Sequence, residues 1–353
     1  MSEEVLIRTE GHVGWISLNR PEALHALTTN ICRKMTEALL AWRHDDSVRI
    51  VMIDHHEGRG FCAGGDIRAL HESIAGDGQA AREFFETEYK LNVLIQSYPK
   101  PYVAFMDGVT MGGGVGVSVH GAVRVVTENT QFAMPETGIG LFPDVGGGWF
   151  LPRLPGRIGA FMGLTGARLK AADCLYAGIG THYAPAVLLG PVKAQIIDAA
   201  NARDPRAGLD AALGEYCEDA GAAPLKNPRG KIDRAFDGRS VEEIVAKLGQ
   251  DQEWGVAQAR IVAGKSPLSL KVALRQIETG RNLKTFADVM RMEHRIARRI
   301  AFGHDFSEGV RALVIEKDNS PHWSPSRLED VTPEMLDAVF APLPAGEELE
   351  LIP

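Results

Sequence analysis

Gly108-Val-Thr-Met-Gly-Gly-Gly-Val-Gly116 is the stretch on which the reading of this chain turns. It follows the apolar run Lys100–Met106, which reads as a buried strand, so the glycines stand where a helix should open. A glycine inside a helix costs about 1 kcal/mol relative to alanine, so three in succession at 112–114 imply that something approaches the backbone closely. Upstream, Gly58-Arg-Gly-Phe-Cys-Ala-Gly-Gly-Asp-Ile67 repeats the arrangement after another short buried strand, Arg49–Ile53. Two backbone amides, one from each loop, can stabilise an oxyanion, a device whose loss slows catalysis by roughly 10²- to 10³-fold. Turn chemistry with close helix packing explains either loop equally well when it is taken alone.

Outward from these loops, Val5–Ile7 and Val13–Leu18 flank Glu10-Gly11-His12 and predict a hairpin. Thr29 to Trp42 places Ile31, Met35, Ala38 and Leu39 at helical spacing, while Val123–Val126 and Gln131–Met134 read as strands. The order strand, strand, helix therefore recurs, which points to a layered or spiral α/β core rather than a doubly wound sheet. From about residue 155 the pattern turns helical, and 206–230 is rich in Gly, Pro and Asp, as a linker is. The expected division is a catalytic core over 1–205 and a mainly helical region over 206–353. Stretches 240–262 and 281–303 read as amphipathic helices. The basic run Met290–Arg299 reads as a solvated face, with contact to a ligand phosphate as its alternative.

The 353 residues carry a net charge of −8, which argues against nucleic acid as a partner, because that role needs a basic surface to displace counterions. No run approaches the ~20 apolar residues of a membrane span, and the acidic, polar start does not resemble a secretion signal. Cys32, Cys62, Cys174 and Cys217 are too scattered for a disulfide framework or a zinc site, so a cytoplasmic protein is expected, with neither cofactor nor metal. Dinucleotide, phosphate-loop, nucleophile-elbow and zinc-helix motifs are all missing from the sequence.

A third block, Phe132-Ala-Met-Pro-Glu-Thr-Gly-Ile-Gly-Leu-Phe-Pro-Asp-Val-Gly-Gly-Gly148, holds two acids, Glu136 and Asp144, among apolar residues and glycines. Desolvation there raises a carboxyl pKa towards values useful for acid–base or nucleophilic work. A rim salt bridge for Glu136 and a helix cap for Asp144 are the plainer alternatives. Glu88 falls inside the apolar arc of 83–96 with Phe84, Leu91 and Ile95, as a buried ion-pair partner or a site acid does.

Taken together and in this order, the blocks resemble the enoyl-CoA hydratase/isomerase (crotonase) superfamily, and within it the 3-hydroxyisobutyryl-CoA hydrolases. The resemblance rests on LNRPEALHAL at 18–27, GRGFCAGGDI at 58–67, KPYVAFMDGVTMGGGVGVSVHG at 100–121 and FAMPETGIGLFPDVGGGWFLPRL at 132–154. It resumes at Asp305-Phe-Ser-Glu-Gly-Val-Arg311, which is similar to the family's C-terminal signature. It implies a spiral of ββα units with a helical C-terminal region, and oxyanion amides at Gly65 and Gly113. One of the two hydratase glutamates matches Gly116 and is absent, while the other matches Glu136 and is retained. Asp144 matches the hydrolase subgroup's distinguishing acid, and Glu88 an acid that contacts its substrate. At His25 the chain departs from many relatives, which carry asparagine.

What the resemblance implies is hydrolysis of a short 3-hydroxyacyl-CoA, with 3-hydroxyisobutyryl-CoA of valine breakdown expected. Coenzyme A then arrives as part of the substrate, and a homotrimer or hexamer is expected. Glu136 either attacks the carbonyl or draws a proton from water, and Asp144 and Glu88 orient the hydroxyl or the water. A hydratase or isomerase is the nearest rival, and a non-catalytic acyl-CoA-binding protein is a rival of another class.

Overall fold

Strands β1 (Val5–Glu10) and β2 (Val13–Leu18) form the expected hairpin, antiparallel from Val5 opposite Leu18 to Glu10 opposite Val13. They belong to a computed structural model that describes residues 3–351. The further strands are β3 (Ile50–His55), β4 (Gly60–Cys62), β5 (Tyr102–Met106), β6 (Val109–Met111), β7 (Val123–Val126), β8 (Gln131–Ala133) and β9 (His182–Tyr183). Among the described residues they make a six-stranded sheet in the order β1-β2-β3-β5-β7-β9 and a three-stranded sheet in the order β4-β6-β8. In the larger sheet every pairing after the hairpin is parallel.

The recurrence read from the sequence takes physical form in this order. β3, β5 and β7 enter the large sheet, each is followed by a strand of the small sheet, and each pair by a helix, Ile67–Ala75, or a helical turn, Gly113–Gly116 and Glu136–Ile139. The opening hairpin stands outside the repeat, because both its strands share one sheet before the helix Thr29–Arg43. The fold is the expected crotonase-like α/β spiral.

Two compact units share the chain. The first comprises the chain to Gly65, Lys90–Phe132 and Leu169–Pro224, and the second Asp66–Tyr89, Ala133–Arg168 and the chain from Leu225. In the first unit one sheet face presents Val13, Ile50, Met52, Val103, Phe105, Val123 and Val125. It buries them against Leu189, Val192 and Ile196 of the helix Leu189–Ala199 and Leu209, Ala212 and Leu213 of the helix Pro205–Tyr216. Elsewhere in this unit, Trp42 of the helix Thr29–Arg43 packs so closely on Gly14 that a Cβ there would lie 2.5 Å from its ring.

The linker expected over 206–230 is thus corrected at its start, where 205–216 is helix. Asp204 and Pro205, which look like breakers, are its start signal: the Asp204 carboxylate accepts from the amides of Arg206 and Ala207, and Pro205 occupies the first turn. Because this helix packs in the first unit, the two units do not divide at residue 205.

The second unit is helical from Leu225 onward. The stretch 240–262 is two helices, Val241–Leu248 and Trp254–Ala263, and 281–303 resolves into the end of Pro267–Asn282 and the helix Phe286–Ile300. The basic residues of the helix Phe286–Ile300 hold the C-terminal segment. Arg295 pairs with Glu348 at 2.9 Å, Arg298 with Glu347 at 2.6 Å, and Arg299 donates to the carbonyls of Val339 and Ala341. No helix among the described residues is long and apolar enough to cross a membrane.

Candidate active site

In the first unit the two glycine-rich loops meet. Gly64, at φ +116°, leaves 3.5 Å between the place of its missing Cβ and the amide nitrogen of Gly113, and a Cβ on Gly114 would lie 2.2 Å from the carbonyl oxygen of Cys62. Only glycine permits this approach. Leu27 N donates to Gly64 O at 2.7 Å and Ala63 N to Leu24 O at 2.9 Å, which ties the first loop to the segment 24–27. Among the described residues no backbone or side-chain acceptor takes the N–H of Gly65 or of Gly113. Each is an open donor of the kind an oxyanion needs. Gly116 ends the short helical turn Gly113–Gly116 and is buried, with no carboxylate to offer.

His25 buttresses this arrangement. Its φ of +57° lies in the left-handed region, where histidine is found more often than most side chains. Arg20 N donates to its Nδ1 at 3.0 Å, so the ring proton sits on Nε2 and is donated to the carbonyl of Glu57 at 2.7 Å. Burial pushes the imidazole pKa down, with the nearby ring of His55 adding to it, and the neutral form fits both bonds. Its own carbonyl accepts from Cys62 Sγ at 3.1 Å.

In the second unit the three acids singled out by sequence lie together, each no more than 4% exposed. Glu88 comes from the helix Gln79–Gln96 and is buried on it with Phe84, as the apolar arc predicts, and with Phe85 and Tyr89, which the arc does not include. Glu136 opens the turn Glu136–Ile139, and Asp144 precedes the turn Gly147–Phe150. Burial is the main cause that raises all three carboxyl pKa values. Glu88 is raised further by the charges of Asp144 and Glu136, and Glu136 by that of Asp144. Asp144 is pushed up to about 7 against the hydrogen bond from Tyr89, whose hydroxyl donates to its Oδ2 at 2.9 Å. Glu88 Oε1 and Glu136 Oε2 accept no hydrogen bond among the described residues. Buried acceptors are normally satisfied, so these two are ready for a substrate hydroxyl or a water. Neither plainer alternative holds, since Glu136 is not at a rim and the Asp144 side chain bonds a phenol rather than a helix end.

The C-terminal signature seats the Glu136 turn. A Cβ on Gly140 would lie 2.1 Å from the carbonyl oxygen of Asp305, and one on Gly309 2.4 Å from the carbonyl carbon of Ile139. Asp305 accepts from Ser266 Oγ at 2.6 Å, and Ser266 N donates to Thr137 O at 3.2 Å. The adjacent Lys265 brings its ammonium to the same turn, with Nζ 3.0 Å from where a Gly138 Cβ would stand. Burial lowers the Lys265 pKa, and the Glu136 charge opposes that shift.

Sequence reasoning missed Tyr89, Gln276 and Glu293. Glu293 is fully buried on the helix Phe286–Ile300, on the face of Val289, Met290, Ile296 and Ala297. The wheel that singled out Glu88 finds it too, but the arginines around it drew attention to charge instead. Among the described residues no three or more His, Cys, Asp or Glu side chains are grouped to hold a metal ion.

A profile of the family described as Enoyl-CoA hydratase/isomerase matches residues 13–340. The chain is 45% identical over 344 residues to the mitochondrial 3-hydroxyisobutyryl-CoA hydrolase of Danio rerio, covering 96% of this chain and 90% of that protein. Against the protein of the same name from Homo sapiens it is 43% identical over 352 residues, covering 98% and 90%. The crystal structure of a carnitinyl-CoA dehydratase from Mycobacterium thermoresistibile matches with a TM-score of 0.92 and 41% identity over 99% of both chains. That of an enoyl-CoA hydratase from Rhodobacter sphaeroides matches with a TM-score of 0.90 and 37% identity over 99% of this chain and 100% of that one.

Proposed function

The chain belongs to the enoyl-CoA hydratase/isomerase family, within its 3-hydroxyisobutyryl-CoA hydrolase subgroup, and from that premise we propose that it splits 3-hydroxyisobutyryl-CoA into 3-hydroxyisobutyrate and coenzyme A. The observation that carries this reading is a pairing: Glu136 is retained and buried beside Asp144, while position 116 is a glycine. Hydration of a double bond needs a second acid–base group where Gly116 has none. Hydrolysis does not, because a thiolate leaves with little acid assistance. The hydratase and dehydratase names of two structural relatives are accounted for by the shared fold.

The open amides of Gly65 and Gly113 take the thioester oxygen as it becomes anionic. Ionised Glu136 then acts in one of two ways. As a nucleophile it bonds to the acyl carbon and displaces coenzyme A thiolate, and water splits the resulting anhydride. As a base it takes a proton from the water that attacks. Asp144 and Glu88 bind the substrate hydroxyl or the water, and Asp144 shuttles the proton. Such a step belongs to valine catabolism. The four cysteines form no disulfide among the described residues and three of them are buried; this supports a reducing compartment, which we take to be the cytoplasm, although the Danio rerio and Homo sapiens relatives are named as mitochondrial.

The test compares wild-type protein with Glu136→Gln. Thiol release from 3-hydroxyisobutyryl-CoA is expected to fall at least ~10³-fold in the variant, while coenzyme A binding stays within about threefold. Unchanged thiol release removes Glu136 from the mechanism.

A further inference from the structure

The loop that carries Asp144 bends sharply. Val145 has φ +50°, where a β-branched residue is rarely found, and Gly146 follows at +89°. The bend turns two amides towards one carboxylate. Gly146 N donates to Glu293 Oε2 at 2.7 Å and Gly148 N to Glu293 Oε1 at 2.8 Å. A third donor, Gln276 Nε2, reaches Oε1 at 2.9 Å and also holds the carbonyl of Pro143, the residue before Asp144, at 2.7 Å. Both sides of Asp144 are therefore clamped by one pair of side chains.

The hydrogen-bond pattern favours the ionised form of Glu293. Among the described residues three N–H groups donate to it, one to Oε2 and two to Oε1, and it donates to none. Among the described residues no lysine or arginine forms an ion pair with it, and it is 0% exposed. A negative charge on it is therefore held by N–H dipoles alone. Around Asp144 and Glu293 the other ionisable groups are Tyr89, Glu88 and Glu136, with Lys265 beyond Glu136 and the His294 ring against Tyr89. Within this group Glu293 has the fullest set of donors, and a second adjacent negative charge is correspondingly costly.

We propose that Glu293 is a positioning residue for Asp144: clamped by Gly146, Gly148 and Gln276, it fixes the Asp144 loop, and its charge keeps a proton on Asp144. The inference rests on the hydrolytic reading, in which Asp144 passes that proton on. Burial and the charge of Asp144 raise the Glu293 carboxyl to about 8 even against the three donors, so the pair takes on a second negative charge only as the pH rises towards that value.

Thiol release measured from pH 5 to 10 for wild type, Glu293→Gln and Gln276→Met tests this. Glu293→Gln is expected to lower kcat roughly 10- to 100-fold with KM within about threefold, because a small misplacement of a reacting group is costly. It is also expected to move the limb governed by Asp144 to lower pH by about half a unit or more, because a repelling charge is gone. Gln276→Met removes one donor, so Glu293 takes up a proton more readily and the same limb moves the same way by less. A merely structural role lowers the rate and leaves the profile in place. If neither variant moves the limb, the assignment is overturned; should Glu293→Gln fail to fold, Gln276→Met alone decides it. A wild-type protein that releases no thiol rejects the hydrolytic reading itself, whereas normal wild-type release with unmoved profiles rejects Glu293 alone.

Discussion

The hydroxyl of Tyr89 donates a 2.9 Å hydrogen bond to Asp144 Oδ2, and neither side chain is more than 4% exposed. The bond favours the ionised form of Asp144 and opposes the burial that pushes its carboxyl up to about 7. Tyr89→Phe keeps the ring and removes the donor. The pH limb governed by Asp144 is expected to move to higher pH, opposite in sign to the change expected for Glu293→Gln. The unsatisfied oxygen costs about 1–3 kcal/mol of stability. A kcat profile against pH beside urea unfolding checks both, and an unmoved limb contradicts the coupling.

Asp144 also makes stability depend on pH. Its folded pKa of about 7 lies above the ordinary 3.8, so the folded protein binds the extra proton, and the contribution to stability present below about pH 4 is lost as pH rises through 7. Asp144→Asn cannot ionise and avoids that loss. The variant is expected to be more stable than wild type at pH 8 by on the order of 2–4 kcal/mol, with the difference vanishing near pH 4. Urea unfolding at the two pH values measures it; a variant less stable at pH 8 contradicts the raised pKa.

Gly114→Ala addresses the other half of the chemistry. The added Cβ meets the Cys62 carbonyl oxygen at 2.2 Å, so the two loops have to part. The expected result is a loss of roughly 10²-fold in thiol release, with the pH limbs unmoved because the carboxyl groups are untouched. An alanine variant with full activity shows that this approach of the loops is dispensable.

How much of this was legible beforehand depended on the kind of signal. The glycines at 64–65 and 112–114 announced a close backbone approach, because glycine is costly in a helix unless space demands it, and Glu88 announced itself as an acid on an apolar arc. Glu293 obeyed the same rule but stood among Arg291, Arg295, Arg298 and Arg299, where charge masked its inward direction. The stretch 206–230 reads as a linker although the helix Pro205–Tyr216 fills its start, because a pair such as Asp204-Pro205 that breaks a chain also starts a helix, and only packing onto the sheet through Leu209 and Leu213 tells the two apart. The partners of Asp305 were illegible, since they come from residues 39 positions before it and 19 after it.

The central claim is that the chain hydrolyses a 3-hydroxyacyl thioester and does not hydrate a double bond. Purified protein supplied with 3-hydroxyisobutyryl-CoA, related 3-hydroxyacyl-CoA esters and 2-enoyl-CoA esters, with free thiol and enoyl absorbance followed together, tests it most directly. The account predicts thiol release from the 3-hydroxyacyl esters, greatest for 3-hydroxyisobutyryl-CoA, and no loss of enoyl absorbance. Loss of enoyl absorbance without thiol release contradicts it.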